Sequence, residues 1–118
     1  MDQYIKIVRE KISQEELRGF LYKPFINMIK FVVDVNQEII ALGGEMHADA
    51  EAVLLENGSK QEDLWGGNIY PDRENVKKIE FESLINIRPS QNNNSLGIQD
   101  NELKLKIKEI ISKLVSFN

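Results

Sequence analysis

The chain has no cysteine. Disulfides, thiolate metal centres and a thiol nucleophile are therefore excluded, and a cytoplasmic location is expected. There is one histidine, so a zinc site built on several imidazoles is excluded too, and any divalent metal would rest largely on carboxylates. No apolar run approaches the roughly 20 residues that span a bilayer. The opening MDQYIKIVREK lacks the apolar stretch of a secretory leader, so no membrane partner is expected. Positive charge is short: 15 Lys and Arg stand against 19 Asp and Glu, a net −4. Phosphate binding needs a basic surplus on some face, so nucleic acid is not the expected partner. The glycine pairs at 43–44 and 66–67 have neither the spacing nor the lysine of a phosphate loop. What is present is 118 residues of ordinary globular composition, the length of one domain spanning 1–118.

The pattern along the chain predicts an α+β fold. YIKIV at 4–8 reads as a short strand. SQEELRGFLYKP carries a capping box, Ser13 with Glu16, and places Leu17, Phe20 and Leu21 on one helical face before Pro24 stops it. MIKFVVDV at 28–35 and EIIAL at 38–42, separated by Asn36-Gln37, form an antiparallel hairpin, which Gly43-Gly44 breaks or bends. DLWGGNIYP at 63–71 reads as a strand with a glycine bulge. KIEFESLINIRP at 78–89 is the most regular strand pattern in the chain, with Ile79, Phe81, Ser83, Ile85 and Ile87 on one side and Glu80, Glu82, Leu84, Asn86 and Arg88 on the other. SQNNNS at 90–95 is a loop. Asp100 caps a final helix with an apolar stripe of Leu103, Ile107, Ile110, Ile111 and Leu114. The expected architecture is an antiparallel meander of about four to five strands with helices from both ends of the chain packed on it.

The stretch GGEMHADAEAVLLENGS at 43–59 has two readings. As a helix it gathers Met46, Ala50, Val53 and Leu54 on one face and ends at Asn57-Gly58, and its residues are strong helix formers. As a strand it alternates Met46, Ala48, Ala50, Ala52 and Leu54 against the polar residues, with Asn57-Gly58 as a hairpin turn. The clean alternation favours the strand.

GGEMHADAE, ENGSKQEDLWGGNIYP and ESLINIRPSQ resemble a family of short, uncharacterised prokaryotic proteins that carry HADAE, DLWG and SLINIRPSQ motifs. The resemblance covers the chain from about Met28 to the C-terminal helix. It implies a single small domain and supplies no activity and no catalytic residue.

Candidate chemistry therefore comes from the residues. His47 and Glu51 point the same way in either conformation, and Glu45 pairs with Asp49. Glu45, His47, Asp49 and Glu51 are the candidate ligands of a divalent metal, Mg²⁺ or Mn²⁺ by their donor set. His47 is also the candidate general base, with Glu51 as its acidic partner. The bland account of the same pattern is a solvated face. Arg88 offers a fixed fork for a carboxylate or phosphate; with Asn86, Ser90, Gln91 and Trp65 it makes a candidate ligand site, against the plain alternatives of a surface salt bridge and a core tryptophan. Ser83 lacks the elbow motif of a nucleophile. The lysines of KLKIKEIISK read as a solvated helix flank.

Two functions fit these residues. One is a non-enzymatic binding or interaction module, with a homodimer through a sheet edge as one form of it. The other is a metal-dependent hydrolase of a phosphoester or nucleotide, with His47, Glu51 and Arg88 as catalytic groups. The first makes the weaker demands on the sequence.

Overall fold

The computed structural model describes residues 4–21 and 25–117. Five strands form one antiparallel sheet: β1 (Ile5–Val8), β2 (Ile29–Asp34), β3 (Ile39–Gly43), β4 (Leu64–Ile69) and β5 (Ile79–Glu80), in the order β1-β3-β2-β4-β5. Three helices accompany it: α1 (Gln14–Arg18), α2 (His47–Glu56) and α3 (Asn101–Leu114). The α+β class is as expected. The path is not a strand-to-neighbour meander throughout, because β3 lies between β1 and β2 and the chain returns across the sheet through α2 to begin β4.

Alternation along the strands divides the interior into two cores. Phe31, Val33, Ile40 and Leu42 face α1 and α3, where Leu17, Ile107, Ile110, Ile111 and Leu114 are buried against them. Val32, Ile39, Ala41 and Leu64 face the opposite way, and Ala50 and Leu54 of α2 close over them. Each large apolar side chain buried in this way contributes roughly 1.5–3 kcal/mol relative to exposure.

The caps follow the sequence closely. Ser13 Oγ accepts from Glu16 N–H at 3.0 Å to start α1, and Asp100 Oδ1 accepts from Glu102 and Leu103 to start α3. The expected stop at Pro24 lies outside the described residues. The β2–β3 turn is organised by Asp34, fully buried, whose Oδ1 accepts from Asn36 and Gln37 N–H, both at 2.9 Å. Its Oδ2 accepts from Ser59 Oγ (2.6 Å) and Gln37 Nε2 (2.9 Å). No charge-bearing oxygen is left bare, which is what burying a carboxylate requires.

Three expectations are corrected. The segment 46–56 is not a strand: 47–56 is the helix α2. Gly43 and Gly44 take φ of +102° and +86° and swing the chain off β3. At the far end Gly58 has φ +100°, Ser59 N–H bonds Leu54 C=O at 3.0 Å and Gly58 N–H bonds Leu55 C=O at 3.3 Å. That paired closure is a Schellman stop. The alternation was incidental to a helix that buries His47, Ala50 and Leu54.

The segment 78–89 is not a long strand either. β5 pairs with β4 only at Asn68↔Glu80 and Ile69↔Ile79. Ser83 then bonds Leu96 C=O through its N–H (3.0 Å) and caps a 3-10 turn at Leu84–Asn86 through its Oγ. Nor is there a glycine bulge in β4: Gly66 and Gly67 stand in regular register with Val32 and Phe31. These glycines are needed for close approach instead. A Cβ on Gly67 would lie 2.5 Å from Glu80 O and 2.5 Å from Phe31 Cζ, and one on Gly66 would lie 2.8 Å from Ser83.

Candidate functional site

On the α2 face of the sheet, one end is polar. Lys30 of β2 pairs across to Asn68 of β4, and Asn68 pairs across to Glu80 of β5. The three side chains form a cross-strand row on one face. The start of α2 stands over this row, and the turn after Ser83 closes the side. Between them is an open cleft of ≈ 390 Å³. Its floor carries Lys30, Asn68 and Glu80; its rim carries Glu45, Met46, Glu82, Leu84 and Leu96. Such a volume is within the range of about 300–1,000 Å³ common to small-molecule sites.

His47, 9% exposed, is the first residue of α2 and points inward to β4. Its Nε2 lies 2.7 Å from Gly67 O. A carbonyl only accepts, so Nε2 carries the proton and Nδ1 of the neutral ring is left as an acceptor. Burial is the main force holding the imidazole below its ordinary value, and the Lys30 ammonium pushes the same way; the Gly67 carbonyl and the Asn68 carboxamide oppose them. Lys30 is also lowered by burial, against the attraction of Glu80.

Asn68, 6% exposed, has its orientation fixed. Its Nδ2 donates to Glu80 Oε1 at 2.9 Å and reaches Glu82 O at 3.4 Å. Its Oδ1 is buried and accepts no hydrogen bond. Tyr70 OH donates to the same Glu80 oxygen at 3.0 Å, and burial and Glu80 together raise the phenol. The helix over the row is uncapped: its N-cap is Met46, 58% exposed, with no side-chain hydrogen bond to the first turn. Ser, Thr, Asp or Asn normally fills that position.

The candidate residues distribute differently from expectation. A helix turns Asp49 away from the side that His47 and Glu51 share, and Asp49 Oδ2 is buried without a hydrogen-bond partner. The four expected ligands, Glu45, His47, Asp49 and Glu51, do not converge; among the described residues no three His, Asp or Glu side chains are placed to hold a metal ion. Glu51 acts electrostatically on Arg88.

Arg88 does not line the cleft. It lies over the Trp65 ring, 4.0 Å from the centroid, and its fork donates to Gln61 O (2.6 Å), to Gln91 Oε1 (2.9 Å) and to Leu64 O. Gln91 Nε2 donates in turn to Glu62 O at 3.0 Å. Arg88 and Gln91 thus tie the loop after β5 to the segment entering β4, and Ser90 is exposed beside them. Trp65 belongs to the larger core. Asn86 is fully buried: it accepts from Gly66 N–H (2.8 Å) and donates to Gly66 O (3.0 Å) and Leu96 O (3.0 Å). Its carboxamide stands where the backbone of a longer β5 would have paired.

No motif or spacing in the sequence groups Lys30, Asn68, Glu80 and Glu82. The signal was there in part, as single polar residues inside apolar strands, MIKFVV, GGNIY and KIEFE. Only the register between strands aligns them.

One family model, described as "Protein of unknown function (DUF5674)", matches residues 6–114. The chain belongs to that family. No curated protein and no solved structure matches it. Membership in DUF5674 assigns no activity, so the chemistry of the cleft carries the functional reading. Among the described residues no helix is long and apolar enough to cross a membrane.

Proposed function

We propose that this DUF5674 member is a non-enzymatic binding module that takes a small molecule in the cleft beneath the start of α2. The supporting observation is the cleft itself: ≈ 390 Å³ over a floor of Lys30, Asn68 and Glu80, in which the buried Asn68 Oδ1 accepts no hydrogen bond. The uncapped helix start and the exposed Met46 and Leu84 fit the same reading, since local rules are broken where function needs the space.

The hydrolase reading draws less support. Its metal ligands do not converge, and both terminal nitrogens of Arg88 donate within the fold, to Gln61, Leu64 and Gln91. Self-pairing through a sheet edge also draws less than the cleft, because the two edge strands, β1 and β5, have four and two residues, and short edges discourage pairing.

Thermal melting with a set of small polar fragments tests the proposal. A ligand of the native state raises stability by RT ln(1 + [L]/Kd), about 2.7 kcal/mol at a hundredfold excess over Kd. Some fragments should raise the melting temperature of the native chain and lose that effect in Ala48→Trp, which fills the mouth of the cleft from an exposed helix position. Equal shifts in both proteins would contradict it. Metal-dependent turnover of a phosphodiester, lost in His47→Ala, would favour the hydrolase instead.

A further inference from the structure

We propose that the ligand is an organic primary amine: an ammonium seated over Asn68 and Glu82, carried on an apolar arm that lies along Met46, Leu84 and Leu96. This rests on the cleft being the binding site.

The cleft offers more acceptors than donors. Asn68 Nδ2 is committed to Glu80, so the amide cannot turn over to present its donors, and Oδ1 remains buried and unpaired. His47 has given its one N–H to Gly67 O, so Nδ1 of the neutral ring is a second acceptor. Among the described residues two sheet-side carboxylates, Glu80 and Glu82, line the space with one cation, Lys30. Lys30 is engaged by Glu80 and by the Phe25 ring, 4.9 Å from its ammonium. The remaining formal charge is negative, so an added anion meets repulsion and a cation is drawn in. An ammonium brings three donors and no acceptor, the complement of this set. Charge alone would suit a metal ion, but among the described residues no three His, Asp or Glu side chains are placed to hold one.

The rim selects against a bare ammonium ion. Met46 and Leu84 are 58% and 74% exposed, and Leu96 stands beside them. Apolar side chains held at the mouth of a charged floor recover area only when an apolar group covers them.

A matched trio tests the class: n-hexylamine, 1-hexanol and hexanoate, titrated into the full chain by calorimetry at one pH and ionic strength. The amine should bind about tenfold or more tightly than the other two, the worth of one charge-assisted hydrogen bond, and should shift the Asn68 side-chain amide signals in a ¹⁵N spectrum. Glu82→Gln, at an exposed rim position, should weaken the amine about tenfold and leave the alcohol unchanged. Hexanoate or hexanol binding as tightly as the amine at the cleft would overturn the amine class and leave the binding module standing. So would amine shifts elsewhere on the acidic surface with the Asn68 amide unmoved. Absence of any cleft shift from the trio and from the wider fragment set would overturn both.

Discussion

His47 shows how one side chain can serve the fold and line a cleft. The folded ring holds its proton less tightly than an unfolded one, whose ordinary value is 6.5, chiefly because the ring is buried. As pH falls past that value the unfolded chain takes up protons first. The stability contributed by neutral His47 is complete above about pH 6.5 and is lost as pH falls toward and through its folded value. Lys30 sharpens the effect, while the Gly67 carbonyl and the Asn68 carboxamide temper it. Urea unfolding from about pH 8 to about pH 5 should show the native chain losing stability more steeply than His47→Gln, which keeps a donor for Gly67 O. Parallel curves would contradict this. Asn86 makes a simpler case. Asn86→Leu strands Gly66 N–H and Gly66 O in the interior and should cost about 2 kcal/mol or more, read from the urea midpoint at unchanged slope. A loss under about 1 kcal/mol would mean that those groups find other partners. A continuous strand over 78–89 puts Asn86 and Arg88 on one face, as candidate ligand contacts. The strand ends at Glu80; Asn86 binds the Gly66 backbone instead, and Arg88 ties down Gln61 and Leu64.

At the scale of elements, α2 carries the argument. Met46→Asp supplies the missing N-cap and should stabilise the chain by about 1 kcal/mol; no gain would mean that the first-turn N–H groups are already satisfied. Gly67→Ala places a Cβ against backbone and should cost several times more than Gly58→Ala, where the strain of φ +100° is not joined by any atom within 4 Å. Equal losses would contradict that packing. Much at this scale was legible in the sequence. Ser13 and Asp100 cap the helices they predict, the β2–β3 hairpin forms, and Ile107, Ile110, Ile111 and Leu114 are buried as their spacing requires. Two segments misread for one reason: alternation outweighed stop signals. In 46–56 the Asn57-Gly58 terminus and the helix formers were the better guide, and in 78–89 the capping Ser83 was. The candidate site was half legible. His47 and Glu45 do line the cleft, but Lys30, Asn68 and Glu80 meet only through strand register, which no single segment records.

The whole molecule is a sheet with helices on both faces and a different task for each. On one face α1 and α3 cover the larger core. On the other, α2 covers only the centre, where Ala50 and Leu54 meet Val32, Ala41 and Leu64, and its first turn overhangs the polar row. Stability rests mainly on the first face, and the second has room for a cleft. Chemical-shift mapping of the ¹⁵N-labelled chain against a fragment mixture tests this division directly. Binding in the cleft predicts shifts concentrated at Met46–Ala48, the Asn68 side-chain amide and Glu82–Ile85, with α3 silent. Shifts centred on Trp65, Asn92 and Leu103 at the other face, or none at any residue, would contradict it.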